Sequence, residues 1–151
     1  MTDSRIVSNS AGLIALERIQ RLDLLPRVYS TLWIPQAVEA EIGFETDWLL
    51  VQTVENQALV ANLKTQVGAG ESEAIALALE IKNIPVLLDD KKARRIAKQL
   101  GLQVTGTVGM LLKAKKQGIV SAIEPILDAL ENVDFRVSSE LRTLALELAN
   151  E

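Results

Sequence analysis

The amino-acid sequence predicts an α/β fold, a three-layer sandwich in which helices flank a central, mainly parallel sheet. Short apolar and β-branched runs alternate with amphipathic helical segments along the chain. The connections between them are short, and the continuous apolar run from Pro85 to Leu88 is typical of a strand buried on both faces. This alternation predicts βαβ units, and therefore a parallel sheet covered by helices on both sides.

The composition is that of an ordinary globular domain. The chain has 151 residues, enough for one core but few for two, so we expect a single domain over residues 1–151. Apolar residues make up 48% of the chain, which is too many for a disordered protein. No segment reaches the roughly 18 apolar residues that cross a bilayer, and the polar start lacks the features of a signal peptide. We therefore expect a cytoplasmic protein without membrane contact.

The sequence contains no cysteine and no histidine. This excludes disulfides, thiol catalysis, Cys/His zinc sites and nucleophiles activated by histidine. Any bound metal must be held by oxygen ligands, which favours Mg²⁺ or Mn²⁺. The net charge of −4 argues against a protein that coats nucleic acid, although local basic clusters can still bind phosphates.

The first half of the chain predicts three strands and three helices. A strand ends at Asn9, and either Asn9 or Ser10 is expected to cap the following helix through its side-chain oxygen. Pro35 is suited to the first turn of another helix. The predicted elements are, in order, a strand over residues 6–8, a helix over 13–22, a strand over 28–34, a helix over 35–42, a strand over 48–54 and a helix over 56–63.

The second half predicts further alternation followed by helices. Gly101 and Gly118 are expected to end two of these helices. The predicted elements are a helix over 71–81, a strand over 85–88, a helix over 91–100, a strand over 102–105, helices over 107–117, 121–130 and 138–149, and an edge strand over 134–137. The apolar stripe of the last helix is expected to pack on the sheet or across a dimer: Leu141, Leu144, Leu146 and Leu148.

Polar and acidic residues lie at the predicted strand ends and on the helices near them. In parallel sheets, functional groups gather at the carboxyl ends of the strands. Several carboxylates placed together repel one another unless a divalent cation lies between them. Such a cation can polarise a phosphodiester and lower the pKa of a bound water, which predicts metal-dependent hydrolysis. The residues concerned are Asn9, Glu41, Glu71, Glu73, Asp89 and Asp90.

Five short motifs together resemble the PIN-domain family, and more narrowly a subgroup of uncharacterised prokaryotic PIN-like proteins. The resemblance extends from Ile6 to the last helix. It implies a metal-dependent ribonuclease that acts on RNA, often the toxin of a type II toxin–antitoxin pair, with a small antitoxin protein as partner and a homodimer as its assembly. The motifs are Ile6–Ser10 with Leu13–Leu16, Ile34-Pro35 with Val38 and Glu41, Gly70–Ile75, Leu88–Asp90 with Ala93-Arg94, and Thr105–Thr107.

The resemblance also implies site residues. The first acidic position of the family falls on Asn9, the second on Glu41, the third on Glu73 and the fourth on Asp90, with Asp89 as its close competitor. Asp90, Glu73 and Asn9 are thereby implied as catalytic residues, and all five as ligands of Mg²⁺ or Mn²⁺. Asn9 departs from the family because it carries no charge, which weakens metal affinity. A catalytically weakened or inactive PIN-like binding protein is therefore the alternative function.

Basic residues follow the acidic pair on the helix over 91–100, close to the predicted metal site. A solvated helix face is the simpler interpretation, and an RNA-backbone groove is the functional one. Thr107 matches a hydroxyl position of the family at a helix start, where free N–H groups can hold a phosphate or a water. The residues expected to contact nucleic acid are Lys91, Lys92, Arg94, Arg95 and Thr107.

The candidate site residues have structural interpretations as well. Asn9 is a preferred helix cap, Glu71 complements a helix dipole, Glu41 can be a solvated residue at a helix end, and Asp89 and Asp90 can cap the next helix. A phosphotransfer receiver or phosphatase is disfavoured, because its acidic nucleophile should end the first strand, where Asn9 stands.

Overall fold

The computed structural model describes residues 4–151, which form five strands and nine helices. The strands are β1 (Arg5–Ser8), β2 (Thr31–Ile34), β3 (Leu49–Val51), β4 (Val86–Leu87) and β5 (Val104–Thr105). The helices are α1 (Ala11–Arg18), α2 (Leu24–Val28), α3 (Gln36–Ile42), α4 (Gln57–Leu63), α5 (Ala69–Glu80), α6 (Lys91–Gln99), α7 (Thr107–Lys116), α8 (Glu124–Asn132) and α9 (Ser139–Leu148).

The sheet separates two hydrophobic cores, which makes the fold a three-layer α/β sandwich. Neighbouring strand residues point to opposite faces, so Ile6 packs with residues of α1, α2, α7, α8 and α9, whereas Val7 packs with α4, α5 and α6. The same alternation continues in β4 and the residue after it. Leu87 packs in the core that contains Ile6, and Val86 and Leu88 pack in the core that contains Val7. The predicted sandwich with a strand buried on both faces is confirmed.

The sheet is parallel throughout, with the strand order β3-β2-β1-β4-β5. From central β1 the chain builds β2 and β3 on one side and then crosses to β4 on the other. Ligands of open α/β sheets bind at such a switch point, beyond the carboxyl ends of the strands. Ser8 pairs with Leu87, and the Asn9 amide donates to the Leu87 carbonyl at 3.1 Å. Asn9 and the residues after β4 therefore share this edge.

The strand predicted over residues 28–34 begins later than expected, which corrects that prediction. Leu24, Leu25 and Val28 are buried on one side of the short helix α2, and Pro26 lies in its first turn, where a missing N–H costs no helical hydrogen bond. Val28 thus belongs to a helix, and β2 starts at Thr31. Burial of the two leucines and Val28 outweighs the local β preference of this segment.

The edge strand predicted over residues 134–137 is wrong. Asp134 has a φ of +64°, and its amide donates to the Glu131 carbonyl, while the Phe135 amide donates to the Leu130 carbonyl. These bonds close the end of α8 in a left-handed turn, which cannot continue as a strand. The strand predicted over 48–54 shortens to Leu49–Val51. Within residues 4–151, no helix is long and apolar enough to span a bilayer.

Candidate active site at the carboxyl ends of the central strands

Asn9 lies at the switch point with an unpartnered oxygen. Its side chain is only 3% exposed, and the amide oxygen Oδ1 has no hydrogen-bond donor among the described residues. Ser10 occupies the N-cap position of α1 without a side-chain capping bond. The expected capping by the Asn9 or Ser10 side chain is therefore wrong. A buried carbonyl oxygen without a donor is costly, so this atom is suited to accept a hydrogen bond or to coordinate a cation.

One side of the site is formed by Glu41, near the end of α3. Burial and then the negative charge of Glu71 raise the pKa of the Glu41 carboxyl, a hydrogen bond from the Ser10 side chain lowers it, and Glu73 raises it further. Glu71, in the first turn of α5, thus adds negative charge to this side. Ser10 follows β1 and lies near the end of α3, so its hydroxyl is close enough to lower the pKa of Glu41.

Gly70 provides the space that Glu41 occupies. A Cβ atom at Gly70 would approach Glu41 Oε1 to less than 3.0 Å, so α5 and the Glu41 carboxylate can be this close only because position 70 has no side chain. Glu73, one turn further along α5, accepts a hydrogen bond from the Ala37 amide at 3.2 Å. An amide in the first turn of a helix has no partner within the helix, so this bond to Glu73 stabilises α3, which carries Glu41.

The other side of the site is formed by Asp89, directly after β4. Its Oδ1 accepts from the Thr107 amide at 2.8 Å and its Oδ2 from the Thr107 hydroxyl at 2.8 Å. Burial raises the pKa of the Asp89 carboxyl, and the two Thr107 hydrogen bonds and the charge of Arg94 oppose that effect. Both Thr107 donors are thus given to Asp89, and a phosphate could use them only in place of this carboxylate.

Gly12 and Gly106 surround the Asp89–Thr107 pair. A Cβ at Gly12 would lie less than 3.0 Å from Thr107 Oγ1 and 3.3 Å from Asp89 Oδ2. A Cβ at Gly106 would lie 2.7 Å from Arg94 Nη1 and 3.0 Å from Asp89 Oδ1. The carboxylate is therefore packed against the backbone of α1 on one side and of the β5–α7 connection on the other.

Asp90 points away from this pair and caps α6. Its Oδ2 accepts from the Ala93 amide at 2.9 Å, in the geometry of an N-cap, and the residue is exposed. Asp89 and Asp90 therefore have different surroundings: Asp89 contacts α1 and α7, whereas Asp90 serves the helix that begins beside it.

The connection between β1 and α1 joins the two sides of the site. Ser10 contacts Glu41, Gly12 lies against Asp89 and Thr107, and the unpartnered oxygen of Asn9 belongs to the same four-residue stretch. Within residues 4–151, however, no three His, Cys, Asp or Glu side chains are grouped so that they alone could hold a metal ion. An oxygen-ligand site here would thus have to combine carboxylates from both sides with the Asn9 amide.

The basic residues after the acidic pair form one face of α6. Lys91, Arg94, Arg95 and Lys98, together with Gln99, line a shallow groove of about 560 Å³. Lys91, Lys92, Arg95 and Lys98 are exposed, but Arg94 is half-buried and donates from Nη1 to the Leu88 carbonyl at 2.9 Å. Arg94 therefore turns back towards the strand end, unlike its basic neighbours.

Sequence reasoning missed the residues that hold the acids in place. Ser10 and Gly70 belong to the family motifs and Ser10 is expected as a cap, but the sequence predicts no contact with Glu41 or Asp89 for Ser10, Gly12 or Gly70. A glycine inside a helix costs about 1 kcal/mol relative to alanine. The structure places Gly12 in α1 and Gly70 in α5, whereas the predicted helices begin at residues 13 and 71, so the sequence did not mark these glycines as helical.

Comparison with known protein families identifies the chain. A family model described as a PIN domain matches residues 5–151, nearly the whole chain. No curated protein and no solved structure matches the chain. The parallel sheet, the two flanking helical layers and the polar residues at its switch point agree with the nuclease-type fold of this family. The chain therefore belongs to the PIN-domain family.

Proposed function

We propose that the protein is a ribonuclease dependent on Mg²⁺ or Mn²⁺, which hydrolyses RNA phosphodiester bonds at the switch point of its sheet. The observation that carries the proposal is the buried Oδ1 of Asn9, which has no donor among residues 4–151 and lies in the stretch next to Glu41 on one side and Asp89 on the other. A cation bound there would satisfy this oxygen and relieve the repulsion among the carboxylates around Glu41.

The donor atoms of the site fit a hard divalent cation. They are carboxylate and amide oxygens, the ligands that Mg²⁺ and Mn²⁺ prefer. We propose Asn9, Glu41 and Asp89 as the ligands, with Glu73 as the alternative to Glu41 and Asp90 as the alternative to Asp89. Asn9 contributes no charge, so the affinity for metal should be lower than with an aspartate at this position.

A divalent cation in this site would polarise the phosphodiester and make water a better nucleophile. The residues of the chain provide the geometry for that chemistry. Thr107 holds both oxygens of Asp89, and the Glu73–Ala37 bond holds the start of α3, which carries Glu41. Preorganised carboxylates of this kind lower the reorganisation that catalysis would otherwise require.

We propose that RNA lies along the exposed basic face of α6, which starts immediately after the acidic pair. Lys91, Lys92, Arg95 and Lys98 are exposed, so they can contact phosphates and displace counterions. RNA affinity should accordingly fall steeply with salt, and each of these cations that is removed should reduce the slope by about one.

The first test compares metal binding and RNA cleavage in four proteins: wild type, Asp89→Asn, Asp90→Asn and Asn9→Asp. Calorimetry with Mn²⁺ should show binding by the wild type, tighter binding by Asn9→Asp and loss in Asp89→Asn, with cleavage following the same order. Asparagine can still cap α6, so Asp90→Asn separates capping from ligation: loss of Mn²⁺ binding in this variant would make Asp90 the ligand. If neither the wild type nor Asn9→Asp binds Mn²⁺ or cleaves RNA, the proposal is refuted.

A PIN-like protein that binds RNA without cleaving it is the second candidate. It is favoured by the neutral residue at position 9 and by the lack of a three-carboxylate group in residues 4–151. Salt-dependent RNA binding without cleavage, in wild type and in Asn9→Asp alike, would establish this candidate in place of the nuclease.

We further propose that the protein acts in the cytoplasm as a toxin controlled by a small antitoxin, and that it forms a homodimer. Support for a protein–protein contact is the outer face of α9, where Leu141, Leu144 and Leu148 are 42, 50 and 63% exposed. Induced expression in bacteria should arrest growth for wild type and not for Asp89→Asn. Sedimentation of the purified protein measures the assembly, and a monomer at all concentrations would refute the dimer.

A further inference from the structure

Arg94 differs from the other basic residues of α6 in where its side chain ends. It lines the basic groove, yet its Nη1 donates to the carbonyl of Leu88 at 2.9 Å. Asp90 caps the helix start and its carbonyl accepts from the Arg94 amide at 3.0 Å, so the backbone of Arg94 is fixed one turn after the cap. The side chain therefore spans from α6 back to the end of the β4 segment.

The Leu88 carbonyl belongs to the peptide unit that begins Asp89. This unit is planar and rigid. A bond that holds the Leu88 carbonyl oxygen therefore also restricts the position of the Asp89 α-carbon, which lies in the same plane. The Leu88 amide donates to the Thr105 carbonyl at 2.9 Å. Both polar backbone groups of Leu88 are therefore held, one by β5 and the other by Arg94.

The Arg94 guanidinium and the Asp89 carboxylate also meet at Gly106. Arg94 Nη1 lies 2.7 Å and Asp89 Oδ1 lies 3.0 Å from the point where a Gly106 Cβ would be. Both groups thus pack on one α-carbon, which immediately precedes Thr107, the residue that holds both oxygens of Asp89. The guanidinium therefore lies beside the Asp89–Thr107 pair.

We propose that Arg94 is a positioning residue that orients Asp89, rather than a residue that contacts RNA. Its effect on cleavage rests on the proposed function of the same site, but its effect on Asp89 is a property of the metal-free protein. The two roles differ in chemistry. A phosphate contact needs only a positive charge in the groove, whereas the bond to the Leu88 carbonyl beside Gly106 needs the length and planar shape of arginine.

The test is amide hydrogen exchange by NMR in the metal-free protein, with Arg94→Lys and Arg94→Met compared with Arg95→Lys and Arg95→Met. The Thr107 amide donates to Asp89 Oδ1 and reports on this pair. We expect the Thr107 amide to exchange about tenfold faster in both Arg94 variants, in keeping with loss of a charge-assisted hydrogen bond. In both Arg95 variants its exchange rate should stay at the wild-type value. The Met110 amide, bonded within α7 to the Gly106 carbonyl, is the internal reference for general loosening.

The second readout separates kcat from KM in RNA cleavage. Positioning predicts a lower kcat in both Arg94 variants with KM little changed, whereas Arg95→Met should raise KM and reduce the salt slope by about one. The proposal is overturned if Thr107 exchange keeps its wild-type rate in Arg94→Met, or if Arg94→Lys behaves as wild type in both readouts. Arg94→Lys retains charge and most of the side chain, which guards against a variant that does not fold. Absence of cleavage in both wild type and Asn9→Asp would refute the nuclease, while the exchange rates would still decide the role of Arg94.

Discussion

Replacing Gly12 by alanine tests whether the packing around Asp89 and Thr107 is as close as the structure describes. Gly12 is the second residue of α1, and its added Cβ would come within 3.0 Å of Thr107 Oγ1. Thr107 is fully buried and its hydroxyl is bonded to Asp89 Oδ2. The hydroxyl therefore cannot move aside without losing that bond.

The expected cost follows from three contributions. Alanine in place of glycine in a helix stabilises by about 1 kcal/mol. Loss of the hydrogen bond to a carboxylate destabilises by about 1.5–3 kcal/mol, and overpacking by about 1–3 kcal/mol. The sum predicts that Gly12→Ala lowers the free energy of unfolding by about 3 kcal/mol, which for a chain of this length lowers the melting temperature by roughly 6–12 °C.

A double-mutant cycle identifies the contact responsible. Thr107→Ala removes the hydroxyl, after which the Cβ at position 12 has Asp89 Oδ2 at 3.3 Å and the Cβ of residue 107 at 3.6 Å as its nearest neighbours. Gly12→Ala should then be tolerated, and the two changes should couple by about 2–3 kcal/mol. Urea denaturation of the metal-free protein measures all four free energies, with a constant m-value as the check on two-state unfolding.

The reasoning would be refuted if Gly12→Ala were as stable as wild type, or if the two substitutions were additive. Either result would mean that helix propensity outweighs the contact, and that α1 does not press on the Asp89–Thr107 pair. A coupled loss would instead make Gly12 a requirement of the site geometry.

Three further predictions concern ionisation. Burial and Glu71 raise the pKa of Glu41 from its ordinary value of 4.5, so its ionisation costs stability as the pH rises above that value. Glu41→Gln should melt higher than wild type at pH 7 and lose that advantage in acid. Hydrogen bonds, first that from the Ile123 amide, lower the pKa of Glu151 from 4.5 to about 2. Its contribution to stability should therefore disappear between pH 4.5 and 2, and wild type should lose melting temperature over this range more steeply than Glu151→Gln. Burial raises the pKa of Tyr29, the single tyrosine, from 10.0 to about 12; phenolate absorbance appearing at the lower value in the folded protein would contradict its burial.

Periodicity was sufficient to predict the sandwich and most element positions. The apolar run at residues 85–88 has no polar position, which only a strand covered on both sides permits in a parallel sheet. Helix ends at Gly43, Gly101 and Gly118 coincide with left-handed backbone, which glycine adopts without a Cβ penalty. The prediction failed at residues 28–34 and 134–137, because packing of α2 and the turn that closes α8 override local preference there.

The candidate site was predicted as a set of residue types and positions, but not as a set of contacts. Asp89 and Asp90 are adjacent and chemically alike, so no property of the sequence separates them. The structure separates them by partner: Thr107 holds Asp89 across the sheet, and the Ala93 amide holds Asp90 within its own turn. In the same way the interpretation of Asn9 as a helix cap was reasonable for its residue type and is wrong for its position.

By itself the sequence determined the class of fold and the class of ligand chemistry. Apolar periodicity is a local property of a chain, and the absence of cysteine and histidine leaves only oxygen ligands for a metal. Only the tertiary structure decided that the Asn9 side-chain oxygen has no donor within the described part of the chain and that Arg94 bonds to the Leu88 carbonyl beside Asp89. Partners such as Asp89 and Thr107, or Glu73 and Ala37, lie 18 and 36 residues apart in the chain. Packing of the sheet brings them together, and no local pattern encodes that proximity.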